Sequence, residues 1–405
     1  MENECTTRTS RVRAMNRYEN MRFWILVLMT SVSGFTQGML LPLISIIFEK
    51  DGIDASLNGL NATGLYIGVL FASPLMEAPL RKFGYKPLIL TGGLTVFASL
   101  LLFPAWKSLW FWFVLRLFIG IGDHMLNFSA QTWITSFSRK GQLGRNIALY
   151  GLFFSLGFAV GPYMTRLVNV DERLPFIACS IISLCFWLAV FLLKNEHPEA
   201  DLENVSFLAT FQRFGKVWKL AWVALLPPLG YGFMESSLNS SFPVYALRNG
   251  INVDAVSMII PAFSIGSIVF QLPLGMLSDR LGRRKVLIAV LLIGCACFAG
   301  AAFSKSNAIA LFACFFVAGM AVGSTFSLGI SYLSDLLPRP LLPAGNIMCG
   351  ILYSFGSMAG PYLCGVIIKY TNGAVFFLLI CMILFVLSVL IFRFKKTTAP
   401  VPRHS

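Results

Sequence analysis

Residues Tyr150–Tyr163 read YGLFFSLGFAVGPY, and 199 residues further on Cys349–Tyr362 read CGILYSFGSMAGPY. Each stretch is apolar through its body and closes on Gly-x-x-x-Gly-Pro-Tyr. Working outward from this pair, the same doubling recurs at an offset of 198. Gly34-Phe35-x-Gln37 pairs with Gly232-Phe233-x-Glu235, Gly52-Ile53 with Gly250-Ile251, and Phe83-Gly84 with Leu281-Gly282. The chain is therefore two copies of one unit, and each copy holds half of the fold.

Composition says what kind of unit this is. Of 405 residues, 57% are hydrophobic and 12% charged, with 37 Phe and a mean hydropathy of +0.74. A soluble domain carries about 25% charged residues. That contrast excludes a soluble globular enzyme, a disordered chain and a collagen-like fibre. A bilayer core needs about 20 apolar residues per helix, because each residue rises about 1.5 Å. Twelve stretches satisfy this: Phe23–Phe48, Leu57–Leu80, Lys86–Trp106, Leu109–Phe137, Gly144–Val168, Pro175–Leu193, Trp218–Leu247, Asp254–Leu277, Arg284–Phe303, Asn307–Leu336, Ala344–Tyr370 and Ala374–Phe394. A membrane β-barrel is excluded, since its strands alternate with period two and stay near ten residues. The expected fold is an all-α polytopic membrane protein with twelve transmembrane helices in two pseudo-symmetric six-helix bundles. Residues 23–193 and 218–394 are the bundles. Residues 1–22, 194–217 and 395–405 are read as an amino-terminal tail, a linker and a carboxy-terminal tail.

Orientation follows from the positions of Lys and Arg. With the amino-terminus inside, the outer loops hold only Lys50, Lys107, Arg166, Arg173, Arg248, Lys305 and Lys369. Arg116 lies within a span, and every other Lys and Arg falls on the inner side. Both termini are thus expected in the cytoplasm, with the protein multi-pass in the cell membrane. The net charge of +14 is a consequence of topology, so nucleic acid is not an expected partner. No small-residue cleavage site follows Phe23, which reads as the start of span 1 and not as a removed signal peptide. The nine cysteines are scattered without C-x-x-C, and Cys295-Ala-Cys297 has no His or acidic company, so neither a metal nor a cofactor is expected.

Three local patterns carry a family likeness. Gly275-x-Leu277-x-Asp279-Arg280-x-Gly282-Arg283-Arg284, between spans 8 and 9, matches the loop signature of the major facilitator superfamily. Leu115-Arg116-x-x-Ile119-Gly120-x-Gly122 resembles that family's span-4 motif. Gly157-x-x-x-Gly161-Pro162 resembles the antiporter motif of its twelve-span drug:proton exporters. On these residues the chain resembles a major facilitator transporter over its whole length. The resemblance implies a cavity lined by spans 1, 4, 7 and 10, a small-molecule substrate and a functional monomer. Two departures stand out. The loop after span 2 reads Glu77-x-x-x-Arg81-Lys82-Phe83-Gly84-Tyr85-Lys86, with Arg81 where Asp279 stands in the other half. Span 5 continues as Tyr163-Met164-Thr165, without the trailing glycine pair of the antiporter motif.

Charges at bilayer depth cost about 2.5–3.5 kcal/mol each on insertion scales, so they need a reason. Arg116, Asp123 and Glu235 are such charges. Asp123 is about 21 Å along span 4, Gln37 about 21 Å into span 1, and Glu235 about 26 Å into span 7. All fall near mid-span, on helices that line the cavity of the proteins the chain resembles. A carboxyl taken out of water can hold a proton on one side and release it on the other. Proton and substrate can then compete for one negative charge. Asp123 and Glu235 are the expected proton carriers, with Arg116 tuning Asp123 from two turns away. Tyr231 and Asn239 share a helix face with Glu235, and Asn127 shares one with Asp123, as cavity lining or as interhelical hydrogen-bond partners. Gly157, Gly161 and Pro162, with Gly356, Gly360 and Pro361, are expected to form a paired hinge or seal. Gly275, Asp279, Arg280, Gly282, Arg283 and Arg284 are expected to form a cytoplasmic latch.

The expected function is secondary transport by alternating access, with proton entry driving efflux of a small amphiphilic or cationic compound. Proton-coupled metabolite uptake uses the same acids and is the first alternative. A lipid flippase or a non-transporting membrane sensor is the second. No nucleophile–base–orienter set is present, so an enzyme is not expected.

Overall fold

A computed structural model describes residues 2–138, 143–198, 207–304, 306–371 and 375–394. Fourteen α-helices follow in order: α1 (Glu2–Lys50), α2 (Ala55–Ala72), α3 (Glu77–Phe83), α4 (Tyr85–Leu102), α5 (Leu109–Phe137), α6 (Leu143–Val160), α7 (Leu174–Ala189), α8 (Phe207–Arg248), α9 (Val253–Leu281), α10 (Arg283–Ser304), α11 (Ala308–Val322), α12 (Thr325–Leu336), α13 (Leu342–Thr371) and α14 (Phe376–Arg393). Among the described residues, ten stretches are long and apolar enough to cross a bilayer. The other two of the twelve spans belong to α2 and α8. Their polar residues are buried, Asn58 and Asn61 on α2 and Ser236, Ser237, Asn239, Ser240 and Ser241 on α8. These helices turn hydrogen-bonding groups inward, which lowers their hydropathy without exposing them to lipid.

Several element boundaries differ from the sequence reading. Residues 2–22 of the expected tail are continuous with span 1 in a single helix. The second half of the expected linker is the start of α8, which bends at buried Ala221 (φ −143°, ψ 24°), ahead of Pro227 and Pro228. Span 2 breaks at Ser73–Leu75, a short 3₁₀ turn, before α3. Span 5 stops being α-helical at Val160 and continues as a 3₁₀ helix over Gly161–Asn169, because Pro162 lacks the N–H the α-ladder needs. Its repeat mate Pro361 stays inside α13. Span 10 is broken at Gly323–Ser324, between α11 and α12.

The duplication is visible in the backbone. The described glycines with positive φ are Gly52 and Gly250, at +73° and +77°, and Gly84 and Gly282, at +84° and +93°. They are two repeat-related pairs, each holding a turn that an L side chain would strain. Helix starts are capped in the same spirit. Asn252 accepts from the Ala255 N–H at 2.8 Å to cap α9, and Asp54 accepts from the Ser56 N–H at 2.8 Å ahead of α2.

Two compact units emerge, one over Met1–Leu40 and Ile67–Ala200, the other over Leu41–Tyr66 and Asp201–Ser405. The carboxy-terminal part of α1 and the start of α2 thus pack with the second repeat. In the first unit, α6 lies directly on α1. A Cβ on Gly157 would stand 1.9 Å from the Ser31 carbonyl, and one on Gly34 would stand 2.3 Å from that of Phe154. In the second unit α13 lies on α8 in the same way, with Gly356 against the Leu229 carbonyl and Gly232 against that of Tyr353. The glycines expected as a hinge or seal are the contact points of two matching helix seams. The second unit has an aromatic core in which Phe242 and Phe315 rings meet at 4.6 Å and Tyr245 and Phe377 at 4.9 Å.

Candidate functional site

In the first unit, Asp123 on α5 is buried, with 1% of its surface exposed. Its Oδ1 accepts a hydrogen bond from Ser33 Oγ on α1 at 2.8 Å, and the Gln37 amide stands beside the carboxyl. Asn127, one turn along α5, donates through Nδ2 to the same Ser33 oxygen at 2.8 Å. Tyr150 on α6 donates to Asn127 Oδ1 at 3.2 Å. The α1–α6 seam positions this chain of polar groups, since it brings the Tyr150 helix onto the Ser33 helix. Asp123 Oδ2 is buried and takes no hydrogen bond from a described residue. Arg116, two turns earlier and fully buried, donates through Nη2 to the Leu40 carbonyl of α1 at 3.1 Å. His124 stacks on Phe128 at 6.0 Å.

In the second unit, Glu235 on α8 is held by two phenols. Tyr353 Oη donates to Oε2 at 2.6 Å and Tyr231 Oη donates to Oε1 at 3.2 Å. The two tyrosine rings stack 6.2 Å apart at 28°, and Phe326 of α12 sets its ring edge-on to Tyr353 at 5.5 Å. Asn239, expected as cavity lining or an interhelical partner, donates to the Glu235 carbonyl of its own helix at 2.8 Å, and its buried Oδ1 takes no hydrogen bond from a described residue. Serving its own turn of backbone keeps the amide inside a helix that is otherwise buried on that face.

The structure thus brings Gln37 and Asn127 to Asp123, and Tyr231 to Glu235. The sequence reading did not find Ser33, Tyr150, Tyr353 or Phe326. Tyr353 lies three residues before Gly356, on the helix that docks against α8. No group of three or more His, Cys, Asp or Glu side chains comes together as a metal site among the described residues.

The loop signature also resolves into contacts. Arg283 is its centre. It donates to Asp279 Oδ1 at 3.2 Å, to the Ser331 carbonyl at 2.6 Å and to Asp335 Oδ1 at 3.0 Å, tying the start of α10 to the end of α12. Arg284 donates to the Ile391 and Phe392 carbonyls at the end of α14, at 3.0 and 2.6 Å. Asp335 was not in the expected set. In the first unit Lys86 does what Arg284 does, donating to the Phe191 and Leu193 carbonyls at 3.0 and 2.6 Å. Where Arg283 stands, Tyr85 stacks on Trp133 at 5.4 Å and 7°. The acid of this corner is Glu196, from the segment read as linker. Its carboxylate pairs with Arg22 and accepts from Trp133 Nε1 at 2.8 Å, and its carbonyl accepts from the Tyr85 N–H at 2.9 Å.

Comparison with known proteins agrees with this geometry. The family model of the Major Facilitator Superfamily (MFS) matches residues 26–246 and 228–405. The uncharacterized MFS-type transporter YfkF of Bacillus subtilis (strain 168) is 60% identical over 339 residues, which cover 84% of this chain and 86% of that protein. The MFS-type transporter YcaD of Salmonella typhi is 20% identical over 337 residues, covering 82% and 84% of the two chains. Among solved structures, nucleoside transporter NupG superposes with a TM-score of 0.77 at 15% identity, covering 92% of this chain and all of NupG. An inward-facing bacterial homolog of the human lysosomal transporter Spinster gives 0.69 at 14%, covering 94% of this chain and 99% of that one. The fold, both repeats and a relative of high identity agree: the chain belongs to the Major Facilitator Superfamily and is a transporter, not an enzyme.

Proposed function

We propose that this transporter works by alternating access and couples proton entry to the export of a small amphiphilic or cationic compound. It would do so as a monomer in the cell membrane with both termini in the cytoplasm. Asp123 and Glu235 would be the groups that bind proton or cargo, with Arg116, Gln37, Asn127 and Tyr231 setting their surroundings. The observation that carries this reading is Asp123. Its carboxyl is buried in the middle of a span among hydroxyls and amides, with Ser33 and Gln37 at hand, and its Oδ2 takes no hydrogen bond from a described residue. Its Oδ1 ties α5 to α1 through Ser33, but a neutral side chain could make that tie without the cost of burying a carboxyl at mid-span. The placement suits a group that takes up a proton when shut off from water and releases it when water arrives.

The positive-inside bias supports the orientation, and the span-5 glycine–proline pattern supports export over uptake. The likeness to NupG is at the level of fold and carries no substrate to this chain.

The test is transport by the full chain in proteoliposomes under an imposed pH gradient with a panel of organic cations. Wild type is expected to accumulate compound only with the gradient, and Asp123→Asn and Glu235→Gln each to lose at least about tenfold of it. Full gradient-driven accumulation by both neutral variants would reject the proton-carrier assignment. Accumulation with the gradient in the opposite sense would make the protein a symporter.

A further inference from the structure

We propose that Tyr231, Glu235, Phe326 and Tyr353 form a cage for the ammonium head of an organic cation. This rests on reading the chain as a carrier of small cationic compounds, and it names the group that meets the charge.

The four side chains come from three helices of one unit. The Glu235 carboxylate is fixed at both oxygens by phenol hydrogen bonds, at 3.2 and 2.6 Å. Its two phenols stack on each other, and Phe326 packs against both, edge-on to Tyr353 and 6.4 Å from Tyr231. All four residues are partly open, and between Gly230 and Ala246 every residue of α8 except Tyr231 and Glu235 is buried. The open face of α8 is thus an acid and a phenol ring.

Aromatic faces attract cations, and more strongly where water is thinned out. A phenol that donates to a carboxylate pushes electron density back into its ring, which deepens that attraction. When ionised, the Glu235 carboxylate supplies the remaining neutralisation and repels anions. A small metal ion is a poor fit, because rings offer no ligand atoms and a single carboxylate leaves most of a coordination shell unfilled. A bulky, weakly hydrated ammonium needs no directed ligands and fits both the rings and the charge.

The scaffold does not impose this chemistry. The repeat mates of the four residues are Ser33, Gln37, Asn127 and Phe154, a set with no acid and no phenol. Three of those places in the first unit are filled with hydrogen-bonding groups, and Asn127 bonds to Ser33 there. Tyr, Glu, Phe and Tyr stand together on one side only.

The experiment is equilibrium binding to the purified full chain in lipid nanodiscs, with no gradient present. The probe is benzyltrimethylammonium, compared with neopentylbenzene, its uncharged carbon isostere. The ammonium is expected to bind at least about tenfold more tightly. Phe326→Leu and Tyr353→Leu are each expected to weaken it by about two- to thirty-fold. Tyr353→Phe keeps the ring and loses the hydroxyl, so it is expected to weaken binding less than Tyr353→Leu. Equal binding of the two probes, no binding of the ammonium, or wild-type affinity in both ring variants with unchanged melting would overturn the cage. An equal loss in Tyr353→Phe and Tyr353→Leu would also overturn it, by showing that the ring is not what is read. Cage-dependent binding without proton-driven transport would instead leave the cage standing and remove the proposed export.

Discussion

The two repeats of this chain are one scaffold carrying two chemistries. Ser33, Gln37, Asn127 and Phe154 in the first unit hold the positions that Tyr231, Glu235, Phe326 and Tyr353 hold in the second. Glycine seams of the same geometry bring each set together, α6 on α1 and α13 on α8. Yet the acid sits on the seventh span in one repeat and on the fourth in the other, where its mate is buried Val322. The corners at the start of α4 and α10 differ likewise. Lys86 and Arg284 both cap the end of the last helix of their repeat, whereas Arg283 with Asp279 and Asp335 is replaced by a Tyr85–Trp133 stack sealed by Glu196. Backbone contacts that need small residues are kept in both copies, and side chains away from those seams diverge, buried Tyr85, Trp133 and Asp123 among them. The difference suits a carrier whose two halves do unlike jobs on like frames.

The sharpest way to break this comparison is at the seams. Gly157→Ala places a Cβ 1.9 Å from the Ser31 carbonyl, and Gly356→Ala places one 2.0 Å from that of Leu229. Backbone on both sides leaves no flexible group to give way. Each change is expected to cost about 3 kcal/mol, read by thermal unfolding in detergent. Gly151 and Gly350 are repeat mates on the same helices, with nothing within 4 Å of an added Cβ. Gly151→Ala and Gly350→Ala should be neutral or gain about 0.5–1 kcal/mol, as a helix former replaces glycine. Similar melting for Gly157→Ala and Gly151→Ala would show that the seam is not what holds α6 to α1.

The corners give the next largest effect, and here the repeats should respond unequally. Arg22 is nearly buried, with 6% of its side chain exposed, and its guanidinium lies 3.9 Å over the Phe137 ring. Glu196→Gln leaves that buried cation without its carboxylate, for about 1–3 kcal/mol. Arg283 and Asp335 are 27% and 50% exposed, so Asp335→Asn should cost under about 1 kcal/mol. Equal losses would mean that Glu196 is a surface partner like Asp335, and that the first corner is held by its aromatic stack alone.

How far the sequence alone could reach follows from the same contrast. The spans, the repeat and the two deep acids were legible because each is a departure from a uniform apolar background. Tyr353 and Phe326 were not, since a chain with 37 Phe and 11 Tyr offers no way to tell a cage wall from lipid-facing bulk. Ser33 is a small polar residue in a span, which usually bonds its own helix and here bonds Asp123. Glu196 lies in a polar stretch where a carboxylate is unremarkable, and only the fold shows it closing the first corner. The break at Gly323–Ser324 was hidden among 34 glycines. Spacing along the chain locates what differs from its neighbours, while partners more than 100 residues away emerge only from packing.

The smallest expected effect is at the helix starts Asp54 and Asn252, which are again repeat mates. Asn252 caps its helix. Asp54 accepts from Ser56 N and Oγ at 2.8 and 2.5 Å and also pairs with Lys369 Nζ at 2.9 Å, linking the start of α2 to the end of α13. The Ser56 hydrogen bonds first, and Lys369 next, hold this carboxyl at about 2, below its ordinary 3.8. A depressed value means that the unfolded chain takes up the proton first. The stabilisation is therefore complete above about pH 4 and is lost as pH falls from about 4 towards 2. Asp54→Asn makes the first repeat resemble the second, keeping a cap and losing the ion pair. It is expected to cost under about 1 kcal/mol, more at low salt than at high, since both partners are partly exposed. The variant should also lose the part of the acid limb of melting temperature against pH that Asp54 supplies in wild type. If instead the acid limb survives in Asp54→Asn undiminished, Asp54 does not supply it, and the two helix starts are alike in function despite their difference in charge.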